Sequence, residues 1–339
     1  MKSRFAAVVL LAASVLTAAP HAQTQSSASL LVLAKSDQML AIVDPVTLKV
    51  LGRVPSGPDP HEVVASTDGC VAYISNYNGG GNIITVADLV AMKALPPIDL
   101  GPLRAPHGLT FVGGKLWFTA EGAKVIGSYD PATSKIDWVL GTGQNRTHMI
   151  FVSDDLKRMV TTNVSSATMT IIDKTTGGGR GGPGGAGGQG DWDETVVPVG
   201  RGAEGFDVSP DGKEIWTANA QDGTVSIVDM ATRKVTQTLA ANVNGANRLK
   251  FTPDGKLVLV STLRGPDLTV IDAATRREVK RLKIGRGAAG IQMQPDGLRA
   301  YAACTPDDYV AIIDLKTLDV ASHIDAGRQH DGLAWAIRR

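Results

Sequence analysis

Between Gly205 and Ala240 the chain alternates apolar and polar residues in four short bursts. GFDVS (205–209), EIWTAN (214–219), TVSIVD (224–229) and KVTQTLA (234–240) carry β-branched or aromatic residues at every second position, the pattern of half-buried strands. The turn Pro210-Asp211-Gly212 separates the first two, the loop Ala220-Gln221-Asp222-Gly223 the next pair, and Met230-Ala231-Thr232 the last. Proline presets φ in such turns and glycine accepts positive φ. The segment therefore predicts a four-stranded antiparallel meander, with strands a to d counted outward.

The same order recurs along the chain. Turns between c and d read Asp44-Pro45-Val46-Thr47, Asp130-Pro131-Ala132-Thr133, Asp173-Lys174-Thr175-Thr176, Asp272-Ala273-Ala274-Thr275 and Asp314-Leu315-Lys316-Thr317. One position opens each apolar strand a: His61, His107, His148, Glu204, Asn247, Ala289 and His330, at spacings of 46, 41, 56, 43, 42 and 41 residues. A repeat of about 40–45 residues built from several short strands marks a β-propeller. The expected fold is all-β, a seven-bladed β-propeller spanning 29–339 as a single domain. Its seventh blade is split: the C-terminus supplies strand a from His330 to Ile337, while LLVLAK, MLAIVD and KVLGRV at the N-terminus supply b, c and d. Pairing of the two ends closes the ring and removes open sheet edges, so a monomer is expected.

Two segments stand apart from the repeat. Residues 1–22, with Lys2 and Arg4 ahead of an apolar run from Phe5 to Leu16 and then small residues, read as a secretory signal peptide cleaved between Ala19 and Ala28. The expected location is periplasmic or secreted, with no later stretch long enough to span a bilayer. Residues 177–190, GGGRGGPGGAGGQG, lack apolar side chains and read as a disordered loop in the c–d turn of the third repeat. No strand leads into a helix there, so the glycines do not form a phosphate cradle, and no nucleotide is expected.

Composition narrows the function. The net charge of +1 comes from intermixed signs, without the basic stripe that nucleic acid requires. Cys70 follows a turn and Cys304 ends a strand at the opposite end of its blade, which argues against a disulfide. Cys-x-x-Cys-His, EF-hand loops and Gly-x-Ser-x-Gly are absent, which removes support for haem and for serine hydrolysis.

The candidate chemistry lies at the starts of the a strands, nearest the axis. His61, His107, His148, His330 and Glu204 come from five consecutive blades and form a candidate divalent metal site for Zn, Cu or Fe. The bland alternative is that each imidazole bonds a neighbouring backbone group. Asn76, Asn163 and Asn219 end b strands on the same face. With Asn247, Arg146 and Arg248 they are candidate ligand-binding residues, although asparagine also serves its own turn there. Glu121, in a b–c loop, joins His107 and His148 as a candidate catalytic acid or base. Cys304 is a weaker candidate, because a lone buried cysteine behaves as a small apolar residue.

PHGLTF (106–111), SPDGKEIWTAN (209–219) and DGTVSIVD (222–229) resemble the blade pattern of the YVTN-repeat (YncE-like) propellers over nearly the whole mature chain. The second repeat, GLTFVGGKLWFTAEGAKVIGSYDPAT, also resembles those of streptogramin-lyase-like propellers. These likenesses imply an exported propeller that binds a small molecule, metal ion or protein partner at the mouth of its channel. The alternative they imply is a metal-dependent periplasmic lactonase or lyase that uses the histidine arc.

Overall fold

The computed structural model describes residues 28–77, 80–175 and 192–338. The signal peptide and the glycine tract inferred from sequence lie outside the described residues. Twenty-eight strands, β1 to β28 in chain order, make seven four-stranded antiparallel sheets, and the described residues contain no helix beyond two short 3-10 turns. Six sheets use consecutive strands. The seventh has the order β28-β1-β2-β3, in which β28 (His330–Ile337) pairs with β1 (Ala28–Ala34), the split closure expected from the repeat.

Alternation places each blade between two neighbours. Leu31 and Leu33 of β1 pack with Val63 and Ile74 of the first blade, whereas Leu30 and Val32 pack with Tyr301 and Ala303 of the sixth. All four are fully buried, each contributing roughly 1.5–3 kcal/mol of apolar transfer. Trp216 fills the gap between the fourth and fifth blades, its ring 5.6 Å from Phe251 in a T-shaped contact. A blade with two buried faces has no stable existence alone.

The recurring aspartate of the c–d turns also has a physical role. Asp44, Asp88, Asp130, Asp229, Asp272 and Asp314 each accept hydrogen bonds from backbone N–H groups of their own turns. At Asp272 the Thr275 hydroxyl adds another at 2.8 Å. The Asp-x-x-Thr repeat is thus a self-bonded turn.

Both cysteines are free, Cys70 half-buried and Cys304 buried. Burial pushes the Cys304 thiol up to about 12. A thiol reagent is expected to modify Cys70 in the folded protein and both cysteines in denaturant, because only the thiolate reacts. Rapid native reaction of both would show that the Cys304 strand opens.

Candidate metal centre at the channel mouth

Every blade enters strand a in the same way. Asp59, Ala105, Arg146, Gly202, Gly245, Gly287 and Gln329 all have positive φ. The next residue pairs with the end of strand b: Pro60 with Asn76, Pro106 with Ala120, Thr147 with Asn163, Ala203 with Asn219, Ala246 with Thr262, Ala288 with Cys304 and His330 with Ala34. The register of the seventh repeat is therefore corrected by one residue. His330 is the counterpart of Thr147 and Ala203, and Asp331 is the counterpart of His61, His107, His148, Glu204, Asn247 and Ala289. A one-residue slip moves a side chain to the other face. His330 is fully buried, with neither ring nitrogen hydrogen-bonded, while Asp331 joins the mouth.

The residues that follow this ring set the width of the channel. They are Glu62, Gly108, Met149, Gly205, Arg248, Gly290 and Gly332. A Cβ at Gly108 would stand 2.5 Å from the His148 carbonyl oxygen, and one at Gly205 2.5 Å from that of Asn247. Glycine here lets adjacent a strands close up. Into the space left, Arg248 of the fifth blade reaches Glu62 of the first and forms a largely buried ion pair. Beyond it lies a chamber of about 320 Å³ that opens toward the other face, lined in part by Phe151, Asp207, Lys250 and Gln292.

The histidines divide into unlike environments. His148, 2 % exposed, lies between two carboxylates: Nδ1 meets Glu121, and Nε2 stands 2.8 Å from Glu204 Oε2. The second contact is an ion pair outside hydrogen-bond geometry, since Nε2 has no aligned partner. Burial opposes its charge, yet Glu204 and Glu121 raise its pKa. Burial likewise opposes ionisation of Glu204, but His148 and Arg146 bring that carboxyl down to about 2. Arg146 spans both acids, 3.2 Å from Glu204 and 3.5 Å from Glu121. The Tyr77 hydroxyl donates to Glu121 at 2.6 Å, and burial together with that carboxylate raises Tyr77 to about 12. The mouth thus holds an imidazole fixed between two acids.

His107 lies against this array, its ring centroid 3.8 Å from that of His148. Burial, then the positive charges of His148 and Arg248, hold its pKa well below the usual imidazole value. Its Nδ1 is buried without a partner among the described residues. His61, 5.3 Å from His107 between ring centroids, is otherwise engaged. Lys35 Nζ approaches its Nε2 at 2.9 Å, and Nδ1 lies 3.1 Å from the Asp59 carbonyl. Lys35 also pairs with Asp59 and Asp331.

Of the arc inferred from sequence, the structure brings only His107 and His148 together, and it adds Glu121, which the sequence offered as a candidate acid and not as a metal ligand. One ligand atom of each lies within 4.8 Å of the others, all three residues being buried. Glu204 joins through His148, and Arg146 borders the group. Arg248 and Asn247 instead close the channel: Arg248 bonds Glu62 and Asn247, and Asn247 donates to the Ala289 carbonyl at 2.8 Å. Asn163 and Asn219 spend their amides inside their own blades, on partners such as Thr170 and Ser226, and Asn76 donates to the Ser56 carbonyl in the link that leads into its blade. The residues one place later, Lys35, Tyr77 and Glu121, are the ones that reach the mouth. Tyr77, Asp331 and Glu62 had no place in the sequence-based site, although counting two residues on from each left-handed position finds Asp331.

Two histidines and a carboxylate form a donor set found for zinc and for non-haem iron. The Nδ1 of His107 is an imidazole nitrogen with no hydrogen-bond partner among the described residues to compete for it, so the residues present fit such an ion.

No protein-family model and no curated protein sequence matches the chain. Among solved structures, it is similar to a functionally unknown protein from Desulfotomaculum acetoxidans (TM-score 0.74, 12 % identity, 91 % of this chain and 98 % of that one). It is also similar to a candidate 6-phosphogluconolactonase from Bacteroides fragilis (TM-score 0.74, 15 % identity, 94 % and 99 %) and to Kuenenia stuttgartiensis hydrazine synthase (TM-score 0.69, 18 % identity, 84 % and 92 %). The chain thus has the seven-bladed β-propeller fold that these proteins share, in keeping with the YVTN-repeat resemblance of its sequence, and at these identities the likeness carries the fold alone.

Proposed function

We propose that the protein binds a divalent transition ion at His107, His148 and Glu121 and presents it to a small molecule entering the channel mouth. The observation that carries this is the convergence of ligand atoms from three buried residues within 4.8 Å, one of the residues being a histidine whose Nδ1 has no partner among the described residues. Tyr77 and Arg146 hold Glu121 in place, as outer groups commonly do for metal ligands. Glu204 orients His148 from the other side. Arg146, 40 % exposed at its side chain, borders the entrance and would meet an anionic group on an incoming molecule.

A second reading, a metal-dependent lactonase, draws support from the candidate 6-phosphogluconolactonases of Bacteroides fragilis and Bacteroides uniformis among the structural neighbours. In that case the ion would polarise the ring carbonyl.

Elemental analysis of untagged protein decides the first reading. We expect about one zinc, iron or copper ion per chain, removable by chelation and restored on addition. The variant His107→Phe, which keeps an aromatic ring in the same space, should fold and lose the ion. Metal-free protein that takes up none of these ions, or full retention in His107→Phe, would refute the site. Hydrolysis of a panel of aliphatic lactones by the loaded protein then separates the lactonase from a binding protein.

A further inference from the structure

On the face opposite the histidines, a cavity of about 500 Å³ lies between the third and fourth blades. It collects residues from the a–b and c–d turns, so nothing in it belongs to the channel mouth. Among the described residues its lining holds four cations, Lys157, Arg158, Lys174 and Arg233, against two carboxylates, Asp155 and Asp173, an excess of two positive charges in a chain whose net charge is +1. Lys157 and Asp155 are exposed and only 3.8 Å apart, which leaves Asp173 to serve the deeper group.

Asp173 departs from the other turn aspartates. It is gripped by two arginines, Arg158 Nε at 2.5 Å from Oδ1 and Arg233 Nη2 at 2.5 Å from Oδ2. One carboxylate thus answers two guanidinium groups. Arg158 spends another nitrogen on the Met230 carbonyl at 3.3 Å, and Arg233 spends one on the Thr195 hydroxyl at 3.3 Å. The Arg233 Nε is buried with no acceptor among the described residues. A buried charged donor without an acceptor is unfavourable and is satisfied by an anionic oxygen. Beside these cations the wall is apolar, formed by Phe151, Val208 and Met230.

We infer that this cavity is a second binding site, for a small organic anion: a phosphate or carboxylate placed between Arg158, Arg233 and Lys174, on an apolar body lying against Phe151 and Met230. Arginine suits such oxyanions because its planar fork offers paired donors. The site shares no residue with the proposed metal centre.

Isothermal titration of the full chain with phenyl phosphate, benzoate and inorganic phosphate tests it. Phenyl phosphate or benzoate should bind at one site, more tightly than inorganic phosphate, and equally well in chelated protein and in His107→Phe. Arg233→Gln should weaken that binding about tenfold or more, while Lys316→Gln, an exposed cation on another blade, should not. Should Arg233→Gln fail to fold, Lys174→Gln carries the same expectation, since Lys174 closes the rim. The relative strength of the two organic anions tells whether phosphate or carboxylate is preferred. No binding of either, binding no tighter than that of inorganic phosphate, or binding unchanged in the Arg233 and Lys174 variants overturns the inference. Loss of binding in His107→Phe would place the anion at the channel mouth and overturns it as well.

Discussion

Deletion of residues 330–339 is expected to abolish cooperative folding. The deleted segment is the innermost strand of the seventh blade, and its loss unpairs β1 along the register from Ala28–Ile337 to Ala34–His330. Leu333, Ala334 and Ala336 are buried and pack into two of the core clusters, one on each side of the closing blade. Both the first and the sixth blades therefore lose a packing surface at once. Domain stabilities are about 5–15 kcal/mol in all, and an opened edge also invites pairing between chains. Circular dichroism melts and gel filtration should show a broad, early transition and aggregation. A sharp transition close to that of the full chain would mean that six blades and three outer strands hold the ring closed without the clasp.

His148→Ala should produce the second large effect, a loss of about 3–5 kcal/mol measured by urea unfolding of chelated protein at neutral pH. The imidazole of His148 lies between Glu121 and Glu204, and its removal leaves one buried and one largely buried carboxylate with Arg146 as their shared cation. Part of any loss comes from the cavity left by the ring. The triple variant that also carries Glu121→Gln and Glu204→Gln separates the two effects. It keeps the cavity but removes the unpaired charge, so it should be more stable than His148→Ala alone. Equal stabilities would show that packing, and not charge, is what His148 supplies.

The blade count, the strand order and the split closure were legible because each rests on short-range physics: alternation, turn chemistry and a fixed repeat length. The site was legible only to within a residue. His330 shares its residue type with His61, His107 and His148, and aligning by type puts it in the ring. The backbone puts Asp331 there, because the left-handed residue of that blade is Gln329. The asparagines that end the b strands show the same shift. Asn76 turns inward to bond Ser56 and Thr85, and its neighbour Tyr77 reaches Glu121. Periodicity places a side chain near the mouth; the direction it takes is decided by the bulge between the first and later ladder pairs of strand a, seen between Thr147 and Ile150. The ion pair of Glu62 with Arg248 was beyond reach of sequence, since its partners are 186 residues apart and meet only across a closed ring.

That ion pair also settles the traffic of the mouth. A molecule of ligand size that enters beside His107 cannot continue along the axis without breaking the bridge between the first and fifth blades. Under the proposed function the mouth would therefore be a blind pocket, with one doorway for arrival and departure. Whatever leaves must clear that doorway before the next molecule can enter, so a spent ligand and a fresh one compete for the same space.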